Sequence, residues 1–153
     1  ELEHDLASVE LSNLFVVGAS EGDALAGFSN RSSELLDLVA PGVDINSRGA
    51  DGAFTRMSGT SIAAAQVSNV VAKTLALNPE LTPPEVLRLL QETSHARDKD
   101  YWRAFSASPG PINPDAALTL AVAIRMSRNG APDETVAERL QLSDAQLEQL
   151  RTL

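Results

Sequence analysis

The chain has 153 residues, 43% of them hydrophobic, which indicates a globular protein of ordinary domain size with enough mass for a core. Its formal net charge of −9 argues against nucleic acid or an anionic membrane surface as the main partner. The absence of cysteine excludes disulfides, thiolate catalysis and cysteine-based metal sites. No uncharged apolar run approaches the roughly 18 residues of a membrane span, so the sequence predicts no transmembrane helix.

The first third of the chain is predicted to form short strands. Residues 14 to 17 are a continuous apolar run stopped by Gly18, which is typical of a strand buried on both faces of a parallel sheet. A second apolar run covers residues 35 to 39 and ends at Pro41-Gly42. Three shorter elements follow, namely a strand over residues 43 to 45, a Gly-rich loop over residues 47 to 52 and a strand over residues 53 to 57.

The rest of the chain is predicted to be mainly helical. An Ala/Val-rich segment without Gly or Pro predicts a buried helix over about residues 60 to 77. Pro83 and Pro84 begin a second helix, with Thr82 as its N-cap, that fades near Thr93.

A third helix is predicted over about residues 114 to 128, and Asn129-Gly130 is its stop signal. Two short amphipathic segments follow, over residues 133 to 140 and 143 to 150, the latter with a capping box that starts at Ser143. Residues 95 to 111 are predicted as a loop that contributes Tyr101 and Trp102 to the core.

A Gly-Thr-Ser corner lies between the last predicted strand and the first predicted helix. It places Ser61 in the first helical turn, where backbone N–H groups lack partners and the helix dipole is positive. An oxyanion that forms beside this serine is stabilised there. Ser and Thr are also ordinary N-cap residues, so the tripeptide alone does not distinguish a catalytic serine from a cap.

The longer run Ser58-Gly59-Thr60-Ser61-Ile62-Ala63 resembles the nucleophile motif of the subtilisin-like serine peptidases, the subtilases. Further blocks resemble family segments in the same order: Val17-Gly18-Ala19, Gly27-Phe28-Ser29-Asn30, Ala40-Pro41-Gly42, Asn78-Pro79 and Gly110-Pro111-Ile112-Asn113. The resemblance covers about residues 12 to 118. It implies an α/β fold, part of a doubly wound and mostly parallel sheet, with a C-terminal helical extension. The motif departs from the family at Ala65-Gln66, where the family has Pro-His, and at Asn69, where it has Gly.

The resemblance gives Ser61 the role of nucleophile, with Gly59 and Thr60 supporting the oxyanion hole and the N–H of Ser61 as a donor. A hydroxyl needs a neighbouring base, which in these peptidases is a His oriented by an Asp. His4 and His95 both lie outside the family's motif for that base and are predicted to be surface or capping residues. The family's Asp, His and oxyanion Asn all precede the part of the family that this chain resembles.

The main expectation is therefore the C-terminal part of a serine endopeptidase that acts on protein or peptide substrates. A complementary N-terminal fragment of the same protease would supply Asp, His and Asn, and would cover strand edges otherwise left open. One alternative is a catalytically inactive subtilase-like module for binding or regulation. Another is an unrelated α/β binding domain with chance motifs.

The resemblance also sets the expected domain limits and ligands. Residues 1–118 form the peptidase part, and residues 119–153 form a helical extension packed on it. Calcium is common in the family, but the Asp and Glu residues here show no ligand spacing, so no metal site and no cofactor are assigned. The family implies a secreted or periplasmic protein. The acidic N-terminus, Glu1-Leu2-Glu3, shows no signal-peptide pattern, and the compartment stays open.

Overall fold

The structure, a computed structural model, describes residues 11–95 and 97–152. Its strands are β1 (Val17–Glu21), β2 (Ala24–Leu25), β3 (Leu38–Pro41), β4 (Ile45–Arg48) and β5 (Phe54–Met57). Its helices are α1 (Thr60–Leu77), α2 (Pro83–Glu92), α3 (Lys99–Arg103), α4 (Pro114–Arg128), α5 (Asp133–Leu140) and α6 (Asp144–Thr152). His4 and the rest of residues 1–10 lie outside the described part.

The strands form two small sheets, and the α/β class predicted from the sequence is confirmed. The first sheet has the order β2-β1-β3, with β1 and β3 parallel and β2 antiparallel at one end of β1. The outer side of β3 is followed by the segment before α4, where Val39 and Pro111 form a parallel bridge. The second sheet is the antiparallel hairpin of β4 and β5.

The predicted first strand was displaced toward the N-terminus by three to four residues. Leu14 is 42% exposed, and the buried centre of β1 consists of Gly18, Ala19 and Ser20. Gly18 does not end the strand. Its missing side chain leaves space for the side chains of Leu36 and Ser29. A Cβ built on it would lie 2.9 Å from Leu36 Cδ2 and 3.0 Å from Ser29 Oγ. Small residues therefore continue the strand where the sequence pattern indicated a stop.

The strands that follow were also predicted with shifted bounds. The predicted run over residues 35 to 39 becomes Leu38–Pro41, which ends at the Pro41-Gly42 turn as expected. The short strand expected over residues 43 to 45 begins only at Ile45, because Asp44 has a left-handed backbone with φ 56°. The Gly-rich loop is correspondingly shorter, and its turn is closed by the Gly49 N–H, which donates to Ala53 O at 2.8 Å.

The main core lies between the parallel strands and the helices. One side of α1 packs on β1, β3 and α4, and it buries Ala63, Val67, Val70 and Thr74. From the other direction, α4 contributes Leu120, Ala121 and Ile124 to the same core. The sequence predicted a buried helix over residues 60 to 77, and within residues 11–95 and 97–152 only this side of α1 is buried.

The helix ends were predicted correctly because they depend on neighbours in the sequence. At the start of α2, Glu85 accepts hydrogen bonds from the N–H and the hydroxyl of Thr82, at 2.7 and 2.8 Å. Gly130 has φ +86° directly after α4, as a glycine stop signal requires. Ser143 and Gln146 form the reciprocal hydrogen bonds of a capping box before α6.

The segment between α2 and α4 was wrongly predicted to be loop throughout. It contains α3, whose N-cap Asp98 accepts hydrogen bonds from the N–H groups of Asp100 and Tyr101. Trp102 is buried in a second, smaller core, as predicted. The core prediction was wrong for Tyr101, which is 36% exposed because its hydroxyl reaches the chain surface and accepts a hydrogen bond from the N–H of Leu25 at 3.2 Å.

The expected boundary between a peptidase part and a helical extension falls inside α4, which is one continuous helix across residues 118 and 119. Val136 of α5 and Leu150 of α6 are buried in the same core as the strands and α1. The last two helices therefore complete the main core on the side of α4 that faces away from α1.

Candidate active site

The predicted Gly-Thr-Ser corner lies where the β4–β5 hairpin returns to the main sheet and α1 begins. Ser58 and Gly59 connect the two elements, and Ser61 is the second residue of α1. The side chains of α1 that face the core start at Ala63, two residues after Ser61. As a result Ser61 is exposed at the end of a helix that packing holds in place.

Backbone contacts with the turn after β3 hold the corner. The N–H of Gly59 donates to Gly42 O at 2.8 Å, and the N–H of Gly42 donates to Ser20 O at 3.0 Å. Gly42 has no room for a side chain, because a Cβ there would lie 2.5 Å from Ala19 Cβ and 2.9 Å from Gly59 O. The Ala-Pro-Gly turn and the serine corner are thus in direct contact and anchored to β1.

The hairpin is tied to the same corner from the other side. Ser58 Oγ accepts a hydrogen bond from the N–H of Asp44 at 2.9 Å, and the Asp44 carboxylate pairs with Arg56 of β5. Both side chains of this ion pair are largely exposed, so its contribution to the free energy of unfolding is small. Its geometric effect is to join the two ends of the hairpin just before Ser58.

Ser61 has the surroundings of a helix N-terminus that is open to an approaching group. Within residues 11–95 and 97–152, its Oγ makes no hydrogen bond and its N–H has no recorded acceptor. The first turn of α1 contains no acidic side chain that would oppose the positive end of the helix dipole. An anionic oxygen placed here would meet free N–H groups and a favourable field.

The structure brings Gly59, Thr60 and Ser61 together as the sequence predicted, with one refinement at Gly59. Its backbone is extended, with φ 160° and ψ 156°, so no unusual dihedral requires a glycine there. A Cβ on Gly59 would lie 3.2 Å from Ser61 Oγ, so a side chain there would require the serine hydroxyl to shift slightly. Thr60 is the first residue of α1 and is half-buried.

No histidine is brought to the corner in the part of the chain that the structure describes. His95 is exposed just after α2, and its backbone N–H donates to Pro111 O at 3.0 Å. The two acids with shifted pKa values lie in other contacts. Burial raises the pKa of Asp37, although the N–H of Val16 opposes the shift. The hydrogen bonds from Thr82, with help from Arg128, lower the pKa of Glu85 to about 2.

Sequence reasoning missed two residues that support the corner. Ser58 was part of the motif, but its role as an acceptor for Asp44 depends on the hairpin. Gln66 was noted only as a departure from the family motif, and its side-chain amide donates to Pro41 O. No sequence signal pointed to this contact, because Pro41 lies 25 positions before Gln66.

Within the described residues there is neither a cluster of metal-binding side chains nor a membrane-spanning helix. No group of three or more His, Cys, Asp or Glu side chains could hold a metal ion there. No helix in that part of the chain is both long enough and apolar enough to cross a membrane.

A family comparison agrees with this geometry. The model of the subtilase family matches residues 5–131 of the chain, which include the corner, the Ala-Pro-Gly turn and α4. The chain therefore belongs to the subtilase family, and the resemblance predicted from the motifs is confirmed.

Individual relatives show how much of the family fold the chain represents. It is 36% identical over 103 residues to serine protease AprX of Bacillus subtilis, an alignment that covers 54% of this chain and 23% of AprX. It is 40% identical over 68 residues to alkaline serine exoprotease A of Vibrio alginolyticus, with 44% of this chain and 12% of that protein covered. The chain thus spans less than a quarter of the length of these curated relatives.

Solved structures give the same picture in three dimensions. A structure that describes the assembly of subtilase cytotoxin SubAB matches with TM-score 0.66 and 26% identity, over 76% of this chain and 40% of that one. The self-cleaved protease domain of PatA matches with TM-score 0.57 and 28% identity, over 72% of this chain and 42% of that domain. The subtilisin-like fold is shared, and well over half of each solved chain has no counterpart here.

Proposed function

We propose that this chain provides the nucleophilic serine of a subtilisin-like serine endopeptidase. Ser61 would attack the carbonyl carbon of a peptide bond, and its own N–H would donate to the oxyanion, with Gly59 and Thr60 shaping that site. The observation that carries the proposal is the exposed position of Ser61 at the first turn of α1, in a chain of the subtilase family.

The base would come from a complementary N-terminal portion of the same protease that bears the Asp, the His and the oxyanion Asn. A serine hydroxyl without a base is a poor nucleophile at neutral pH, and no histidine contacts Ser61 within the described residues. The solved relatives are more than twice as long as the part that this chain matches, which leaves room for such a portion.

The exposed side of α1 supports a partner at this place. We call it the open side; its residues are Ser61, Ala65, Ser68, Ala72, Leu75 and Ala76. All six are exposed and none is charged, and the only charged residue of the whole helix is Lys73. A helix side that faces water permanently is normally rich in charged residues, so this composition favours a covered surface. The open side starts at Ser61, so a partner that covers it would reach the nucleophile.

The edge of the main sheet supports the same arrangement. In the described part of the chain, β2 pairs only with Ser20 and Glu21, so no strand lies beside Val17 on that edge. Leu14 and Phe28 are 42% and 52% exposed. A further strand added beside the start of β1 would satisfy the backbone groups of that edge.

A fluorophosphonate probe tests the proposal, because it reacts with a serine only when a base activates it. We expect labelling of the assembled protease and none of the Ser61→Ala variant. The matched control is Ser33→Ala, which removes an exposed hydroxyl that lies outside α1 and has no recorded hydrogen bond among the described residues. Equal labelling of the parent and of Ser61→Ala would contradict the proposal. An assembly that forms but stays unlabelled would identify an inactive subtilase-like module instead.

A further inference from the structure

The turn that anchors the serine corner has a second support, which comes from the helix that bears the serine. The side-chain amide of Gln66 donates a hydrogen bond to the backbone carbonyl of Pro41. Gln66 is half-buried and lies at the edge of a groove of about 450 Å³ between α1, β4 and the start of α4. The bond crosses 25 positions of the sequence, so it joins two elements rather than neighbours.

The bond acts on a turn that is in direct contact with β1 and with the serine corner. Gly42, next to Pro41, is fixed by its N–H bond to Ser20 O at 3.0 Å. Its Cα faces Ala19 and Gly59 so closely that a Cβ would lie 2.5 Å from Ala19 Cβ and 2.9 Å from Gly59 O. Any shift of the Pro41-Gly42 turn is therefore transmitted to Gly59 by direct contact.

The same turn sets the position of Ser61. The N–H of Gly59 donates to Gly42 O at 2.8 Å, and a Cβ on Gly59 would lie 3.2 Å from Ser61 Oγ. The carbonyl of Gly59 in turn accepts from the N–H groups of Ile62 and Ala63, at 3.1 and 3.3 Å. Within the described residues no acceptor is recorded for the N–H of Ser61, which belongs to the peptide that joins Thr60 to Ser61.

We infer that Gln66 is a positioning residue for the nucleophile corner. By holding the Pro41 carbonyl it closes a loop of contacts, from α1 through the Pro41-Gly42 turn and Gly59 back to Ser61. The loop fixes the direction of the Ser61 Oγ and of its N–H. A neutral amide serves here because it donates a hydrogen bond at every pH, whereas a carboxylate would repel the carbonyl oxygen. The expected effect of Gln66 on catalysis rests on the proposed peptidase function. The link from Gln66 through the Pro41-Gly42 turn to Gly59 does not depend on it.

Two variants of Gln66 and one control test this inference in the assembled protein. Gln66→Glu keeps the shape of the side chain and loses the donor at neutral pH, and Gln66→Ala removes the whole group. The control is Asn69→Ala. Asn69 lies three residues after Gln66 and lines the same groove. No hydrogen bond from its side chain is recorded among the described residues. All three changes replace side chains that are not among the buried residues of the main core.

The first readout is residue-resolved hydrogen exchange, which needs no activity. We expect the Gly59 amide to exchange about tenfold faster in both Gln66 variants, because local opening of the turn frees its bond to Gly42 O. The amide of Val70, deep in α1, should be unchanged in both, and Asn69→Ala should match the parent at both amides. Unchanged exchange at Gly59 in both Gln66 variants would overturn the inference, as would equal acceleration at Gly59 and Val70, which would indicate general destabilisation.

The second readout is turnover. Misorientation of the nucleophile should lower kcat by about tenfold or more while KM stays within about twofold, since ground-state binding does not use this contact. A change confined to KM would contradict positioning of Ser61. If no variant and no parent protein is labelled by the fluorophosphonate probe, the proposed peptidase function fails, while the exchange result still decides the link from Gln66 to Gly59.

Discussion

The two sides of α1 differ in what they offer to their surroundings. The side that faces the strands and α4 is closed: Ala63, Val67 and Val70 are at most 5% exposed and lie in the main core. The open side carries small uncharged residues, and nothing within the described part of the chain covers it. Both sides of α1 have the residue composition of a protein interior, but only one of them is buried within the described residues. This difference is the basis for the proposed partner on the open side.

The largest expected effect compares one leucine from each environment. Leu120 of α4 is 1% exposed in the core, and Leu75 on the open side of α1 is 37% exposed. We expect Leu120→Ala to lower the free energy of unfolding by about 2–5 kcal/mol, because it leaves a cavity. Leu75→Ala should change it by no more than about 0.5 kcal/mol in the chain without a partner. Urea denaturation of both variants measures the difference, and similar losses in the two would show that α1 is closed on both sides.

A charge introduced on the open side should weaken association with a partner and leave the stability of the chain itself unchanged. Ala72 is exposed in the middle of that side, so Ala72→Glu should leave the free energy of unfolding of the chain almost unchanged. Burial of an unpaired carboxylate against a partner should weaken association by about tenfold or more. Isothermal titration with the complementary portion would measure this.

The control for that experiment is Glu138→Arg, which changes an exposed charge on α5, on the far side of α4. It should leave association within about twofold of the parent, since rim and remote charges contribute little to affinity. Equal weakening by Ala72→Glu and Glu138→Arg would point to a general charge effect and against the open side as the interface.

The smallest expected effect concerns the ion pair between Glu85 of α2 and Arg128 of α4. The pKa of Glu85 is lowered to about 2 from its ordinary 4.5, mainly by the hydrogen bonds from Thr82 and then by Arg128. A carboxyl group with a lowered pKa in the folded state stabilises above its unfolded pKa, and this stabilisation is lost as the pH falls toward 2. Because Glu85 and Arg128 are about one third exposed, we expect no more than about 1 kcal/mol after solvent screening.

The check is a pair of denaturation series for the parent and for Glu85→Gln. The variant should be less stable above pH 4.5, and the gap should close between about pH 4.5 and pH 2. A gap that persists at pH 2 would mean that the charge of Glu85 is not its source. Above pH 5 the gap should be constant, because the carboxyl group is then ionised in both the folded and the unfolded chain.

Helix ends and the serine corner were predictable from the sequence because the interactions that define them lie within a few residues. The hydrogen bonds of Thr82 with Glu85 span three positions, and Gly130 adopts its positive φ next to the helix that it ends. The corner was predictable for the same reason, since the residues before α1 and the first turn that bears Ser61 are consecutive. The family followed from motifs of this local kind.

Contacts between distant segments were decided only by the tertiary structure. In the sequence, Gly18 resembled the stop signal of a strand. In the structure it lies inside β1, because Leu36, 18 positions later, packs against it. Gln66 looked like a departure from a motif and proves to hold the carbonyl of Pro41. Hydrogen bonds between near neighbours follow from residue type and spacing, whereas the approach of two remote segments depends on how the whole core packs. For that reason the sequence alone determined where the serine and its helix begin, and the fold decided what holds them.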